Sequence, residues 1–198
     1  IDSMAFNRDG TKLYAFDLQA DEGNITTYSL PGPFDISSPT SINVTSMMDI
    51  GVVDEGVTQG FDIEFTPDGG AMFILIKDLN SKNFGDDPSK QLNFIYQFRL
   101  GTNYDVSTAV KVGRYQLDDI FITRAAGDRV GEPVGMEFSH DGMRLYLTDH
   151  QEGGPGVHHI HQFDLECPYG IIECVTDPVS IIGSTVQLSK ENINLNVS

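Results

Sequence analysis

The side chains with which this chain could do chemistry are mostly carboxylates: 29 Asp and Glu stand against 12 Lys and Arg, for a formal net charge of −17. Hard oxygen ligands of this kind suit Ca2+, and carboxyl groups close in space can serve as the acid and base of glycoside hydrolysis. Glu64 and Glu137 each stand directly before a phenylalanine that leads into an Asp-Gly pair, and Asp62 lies two residues before Glu64, on the same face of an extended strand. Asp62, Glu64 and Glu137 are therefore the candidate cation ligands. Two further acidic stretches read as recognition loops: Gly85-Asp86-Asp87-Pro88 within 78–91, and Asp118, Asp119, Asp128 and Glu132 within 116–132. Asp9, Asp68 and Asp141 each precede a glycine, where an Asp accepts local backbone hydrogen bonds in a tight turn, and Asp35 and Asp105, two residues before a serine, read as turn formers too.

Soft and nucleophilic groups are sparser. His150, His158, His159 and His161 crowd one segment, and such tracts can signal a transition metal. Strand alternation puts His159 and His161 on one face and His158 on the other, so the segment does not assemble a three-histidine site by itself. Cys167 and Cys174 bracket a turn at a spacing unlike a zinc knuckle. A disulfide there would restrain the turn and imply an oxidising compartment; two free thiols are the alternative. Asn24, Asn43 and Asn196 head glycosylation sequons, compatible with export. The sequence holds no Gly-x-Ser-x-Gly elbow, no glycine-rich phosphate loop and no His-Glu-x-x-His. Excess negative charge opposes binding to nucleic acid or anionic membranes, and no apolar run reaches the ~20 residues of a membrane-spanning helix.

The elements that must position these groups recur three times. Phe6-Asn7-Arg8-Asp9-Gly10-Thr11-Lys12-Leu13-Tyr14 returns at Phe65 to Phe73 and at Phe138 to Tyr146. A second block follows each copy: Tyr28-Ser29-Leu30-Pro31-Gly32-Pro33-Phe34-Asp35-Ile36-Ser37, then Phe98 to Ser107, then Phe163 to Ile172 with Gly170 in place of the Asp. Alternating apolar residues before each Asp-Gly and a denser apolar run after it predict a hairpin whose second strand is covered on both faces, with Phe6, Phe65 and Phe138 buried at equivalent sites. A third strand ends at Tyr28, Phe98 or Phe163. A fourth is expected near 41–50, 109–117 and 178–188.

This pattern resembles the β-propeller repeats of the broad YVTN/WD40-like group, especially tandem blades of large surface-exposed, secreted and virion-associated proteins of marine microbes and their phages. The resemblance implies an all-β chain of about three four-stranded antiparallel blades: 1–50, 57–118 with an insertion at 78–91, and 131–188, with 189–198 as a linker or the start of a further blade. Three blades are fewer than the roughly four to eight that close a ring, so a segment of a larger propeller is expected. The expected role is a non-catalytic extracellular, cell-surface or virion-surface module, structural or adhesive. Its partners would be neighbouring blades or subunits and a surface glycan. The alternative is a propeller-class hydrolase or lyase with a carboxylate or Ca2+ site at the channel mouth.

Overall fold

The computed structural model describes residues 1–17, 23–52, 58–78, 92–117, 132–150, 160–174 and 189–193. They form three four-stranded antiparallel sheets, each a simple meander. The first contains β1 (Ser3–Phe6), β2 (Lys12–Asp17), β3 (Asn24–Ser29) and β4 (Thr40–Ser46). The second contains β5 (Thr58–Phe65), β6 (Ala71–Asp78), β7 (Leu92–Leu100) and β8 (Ala109–Gln116). The third contains β9 (Glu132–Phe138), β10 (Arg144–His150), β11 (Ile160–Asp164) and β12 (Ser189–Ile193). The chain is therefore all-β in its described residues apart from one 3-10 turn at Val106–Thr108.

The Asp-Gly turns form as their residue types require. Gly10, Gly69 and Gly142 take φ of +69°, +73° and +69°, the left-handed region that glycine enters without penalty. Asp68 Oδ1 accepts from the Gly70 amide at 3.0 Å and from the Thr66 hydroxyl at 2.6 Å. Asp141 repeats the arrangement with the Met143 amide and the Ser139 hydroxyl, and Asp9 with the amide and hydroxyl of Thr11. Thr66 and Ser139 also accept from the first amide of the returning strand through their hydroxyls, a duty that falls to the Asn7 side chain in the first copy.

The second block of each repeat locks onto the first. Phe34, Tyr104 and Tyr169 adopt φ of 59°, 60° and 55°, and their amides donate to the carbonyls of Gly10, Gly69 and Gly142 at 2.7–2.9 Å. Each ring then lies where a β-carbon on that glycine would stand. Asp35 and Asp105 close the following turn by accepting from the amides of Ser37 and Ser107. In the third copy a Cys167–Cys174 disulfide, with Cα atoms 5.6 Å apart, takes over that restraint. Gly170 is the matching adaptation, because a β-carbon there would fall on Cys167 Sγ.

Sheet two is packed on both faces, so β6 is apolar without interruption from Ala71 to Ile76. Met72, Ile74 and Ile76 enter one cluster with Tyr14, Phe16 and Ile25 of the first sheet. Ala71, Phe73 and Leu75 enter a second with Phe138, Leu145 and Leu147 of the third. Rings cross each junction at the same repeat position: Tyr14 to Phe65 at 4.5 Å between centroids, and Phe73 to Phe138 at 4.7 Å.

Two expectations are corrected. The fourth strand of the third sheet is Ser189–Ile193, paired with β11, so the segment read as a linker or a new blade contains the closing strand of this sheet. Residues 178–188 lie outside the described residues. The three repeat phenylalanines are not equally buried either: Phe138 is buried, whereas Phe6 and Phe65 are half-buried. Phe65 sits at the rim beside Tyr104, and Phe6 meets Phe34 of its own sheet.

Replacing Gly69 by Ala should cost about 1–3 kcal/mol in urea unfolding, since the new β-carbon meets both an unfavourable φ and the Tyr104 ring. Gly32→Ala, whose β-carbon approaches nothing nearer than 3.9 Å, should stay within about 0.5 kcal/mol of the parent. Equal effects at the two sites would show that the ring does not constrain the turn. Removing the Cys167–Cys174 bridge by double Ala substitution should cost about 2–3 kcal/mol for so short a loop; unchanged stability would mean the turn holds itself.

Candidate functional site

The candidate carboxylates lie on the first strand of the second and third sheets, where β1 runs beside β5 and β5 beside β9. Register places Ala5, Glu64 and Glu137 at one repeat position, opposite Tyr14, Phe73 and Tyr146. Ser3, Asp62 and Gly135 share the next position on the same face, opposite Phe16, Leu75 and Thr148. The strand skips one residue between Gly60 and Asp62, a bulge of the kind that re-aims a side chain.

Asp62 thereby ties all three sheets together. Its Oδ1 accepts from the Ser3 hydroxyl at 2.6 Å and from the Ile63 amide at 2.9 Å, and its Oδ2 accepts from the Met136 amide at 2.7 Å. Gly135 lies beside this tie, but the contact that calls for glycine there is with the neighbouring strand, since a β-carbon on it would meet Thr148 Oγ1 at 2.7 Å. With both oxygens so occupied, Asp62 acts as a structural tie between the sheets. Among the described residues no group of three His, Cys, Asp or Glu side chains is gathered closely enough to hold a metal ion.

Glu64 is a different kind of group. Burial, then the neighbouring charges of Glu137 and Asp62, push its carboxyl up to about 8, against an ordinary 4.5. Desolvation followed by the charge of Asp62 raises Glu137 as well. The pair can therefore hold a proton where an isolated carboxylate would have lost it. Turn aspartates move the other way: Asp9, Asp35 and Asp141 are held low chiefly by hydrogen bonds from Thr11, Ser37 and Ser139. At Asp68 burial pulls upward, but bonds from Thr66 and Gly70 outweigh it.

The remaining candidates scatter. Asp86, Asp87, Asp118, Asp119, Asp128, His158, His159 and Asn196 lie outside the described residues, as do the side chains of Glu132 and His150. His161 is buried on β11 and meets Asp149 at 3.2 Å, a pair within the second core junction. Asn24 and Asn43 are half-buried on β3 and β4, and the Asn43 amide donates to the Thr45 hydroxyl at 3.3 Å.

Two junction groups escaped the sequence reading. Gln97 crosses from β7 to the third sheet, accepting from the Ile172 amide at 2.8 Å and donating to the Glu173 carbonyl at 3.0 Å. Tyr14 crosses from the first sheet to donate to the Tyr104 carbonyl at 2.7 Å. The repeat alignment holds the signal for both, since Thr27, Gln97 and Gln162 share one position, as do Tyr14, Phe73 and Tyr146.

No family model matches the chain, and no curated protein does either. Among solved structures, the crystal structure of the major Malassezia sympodialis allergen Mala s 1 is similar, with a TM-score of 0.47 and 18% identity over 96% of this chain and 48% of that one. The chain thus spans about half the length of that protein. The titration of Glu64 tests the carboxylate pair directly. Below pH 4.5 the group is protonated folded or unfolded and its stabilising contribution is complete; between 4.5 and about 8 the unfolded chain ionises while the folded chain resists, so that contribution is lost. Glu64→Gln should therefore melt above the parent at pH 8, with the gap closing toward pH 4.5. A variant no more stable than the parent at pH 8 would show that Glu64 bears its charge without strain.

Proposed function

We propose that the three sheets are successive blades of a β-propeller and that the chain is a non-catalytic extracellular module, structural or adhesive, which contacts neighbouring subunits and a surface glycan. The observation that carries this reading is the repeated junction: inner strands side by side, and one aromatic contact recurring from Tyr14–Phe65 to Phe73–Phe138 at nearly the same distance. Radial repetition requires such a constant step between sheets. Asp9, Asp35, Asp62, Asp68, Asp105 and Asp141 are all engaged in internal hydrogen bonds, work that builds a scaffold. The Cys167–Cys174 bridge supports an oxidising, extracytoplasmic setting. A net charge of −17 favours neutral or basic partner surfaces over anionic ones.

One observation favours a second reading. A carboxyl raised to about 8 next to a second carboxyl is the arrangement of a general acid, so a propeller-class hydrolase or lyase using Glu64 and Glu137 is the rival. A glycan array probed with the labelled full chain separates the two. Binding to neutral glycans that persists in Glu64→Gln and Glu137→Gln is the expected result. Products released from a bound polysaccharide by the parent and not by Glu64→Gln would replace the module with the enzyme, and the absence of any glycan or protein binding would remove the adhesive role.

A further inference from the structure

The third repeat holds its turn by a bond that the first two lack, and that turn faces another sheet. In the first two repeats the amides of Ser37 and Ser107 donate to the carboxylates of Asp35 and Asp105 in their own turns. Gly170 stands at that Asp position, and the matching amide, that of Ile172, donates instead to Gln97 Oε1 of β7 at 2.8 Å. The Glu173 amide reaches the same oxygen at 3.3 Å, and Gln97 Nε2 donates to the Glu173 carbonyl at 3.0 Å. Glu173 also pairs with Arg99. With the Cys167–Cys174 bridge in place of the Asp, the hydrogen bonds of this turn run across the junction between the second and third sheets.

Burial makes loop and junction one unit. Gln97 is 0% exposed and Ile171 1%, so the Gln97 amide group has no water to turn to while the sheets stay packed. Ile172 lies against Gly113 of β8, where a β-carbon would stand 3.0 Å from its Cγ2. The loop therefore leaves the second sheet only if the junction opens with it. The equivalent turn at the first junction buries Val106 in the first core cluster, but Asp105 and Ser107 hold it by hydrogen bonds that a reductant does not touch. Cys167 and Cys174 are half-buried, and Glu166 and Pro168 beside the first of them are exposed, which leaves the sulfurs within reach of a thiol.

We propose that the Cys167–Cys174 bridge is a redox latch, by which a dithiol reductant opens the junction between the second and third sheets and leaves the first junction shut. One thiolate of the reductant attacks the sulfur of either cysteine, forming a mixed disulfide and releasing the other cysteine as a thiolate that takes up a proton. The second thiolate of the reductant then attacks the reductant's own sulfur in the mixed disulfide and releases the remaining cysteine, which is protonated in turn. The bridge has gained two electrons and two protons to become two thiols, and the reductant has been oxidised to a disulfide. With Gly170 in place of Asp, the opened turn lacks the carboxylate that shapes the other two copies. The latch is a property of the packing and stands apart from the adhesive role.

Amide-resolved hydrogen exchange of the full chain, before and after dithiothreitol at neutral pH, tests this, with alkylation counting the opened thiols by mass and circular dichroism reporting the sheets. Both cysteines are expected to be reduced in the folded protein, with exchange at the Ile172 and Glu173 amides at least about tenfold faster. Exchange at the Tyr104 and Thr108 amides of the first junction should be unchanged, and reoxidation should restore the starting rates. The double variant Cys167→Ser, Cys174→Ser should exchange like the reduced parent and ignore dithiothreitol. Gln97→Ala keeps the bridge and removes the bonds across the junction, so the same two amides should exchange faster without reductant and respond little to it. A full-sized response in Gln97→Ala would separate the bridge from the junction and overturn the latch. A bridge that resists dithiothreitol until the chain unfolds also overturns it, as does reduction that leaves Ile172 and Glu173 protected. Loss of protection throughout all three sheets would overturn it too, because the bridge would then support the whole fold and not one junction.

Discussion

Each repeat is closed by an aromatic residue whose own backbone is unfavourable. Phe34, Tyr104 and Tyr169 sit at positive φ, a conformation that costs a non-glycine residue on the order of 1–2 kcal/mol. The cost is offset where the amide reaches the carbonyl of the Asp-Gly turn and the ring covers its glycine. Tyr104 shows how far this contact reaches. Its hydroxyl donates to the Pro67 carbonyl at 2.6 Å, its own carbonyl accepts from the Tyr14 hydroxyl of the first sheet, and its ring meets Phe65. Hairpin, third-strand exit and sheet junction thus depend on one ring over one glycine.

Carboxylates divide by position into two groups with opposite titration. Those in the turns accept two or more local hydrogen bonds and are held low, so their contribution is present above an ordinary 3.8 and fades as acid protonates them. Glu64 on β5 is deprived of water and faced by Glu137 and Asp62, so its contribution fades in the other direction. Net charge alone would suggest only mutual repulsion that falls as the pH falls. The turn aspartates thus favour the fold above the ordinary carboxylate range and Glu64 favours it below about 8, so the two sets limit it from opposite sides.

The third repeat departs from the first two at several linked points. Gly170 replaces Asp, and the Cys167–Cys174 bridge occupies the room that its missing side chain leaves. Glu173, just before Cys174, pairs with Arg99, while the 172 and 173 amides hold the Gln97 side chain. The bridge therefore shapes a loop that docks on the second sheet. A restraint that looks local on paper stiffens a junction between sheets.

Local chemistry was legible from residue order because it depends on neighbours in sequence. The Asp-Gly turns, the hairpins, the double burial of β6 and the turn roles of Asp35 and Asp105 all follow from short-range spacing, whereas the spacing of Cys167 and Cys174 left both a bridge and two thiols open. What required the tertiary structure was every property set by the next sheet. Asp62 and Glu64 are two residues apart on one strand face, yet a bulge and the neighbouring sheets turn the first into a tie across three sheets, and burial beside Glu137 turns the second into a proton holder. The β12 strand escaped because its sequence, Ser-Lys-Glu-Asn-Ile, lacks an alternating apolar signal; an edge strand is recruited by the free hydrogen-bonding edge of β11 and needs no apolar face of its own. Sequence thus determined each repeat up to its own boundary, and the contact between repeats decided which side chains became structural and which came to hold a proton, because burial and hydrogen-bond partners come from the neighbouring sheet.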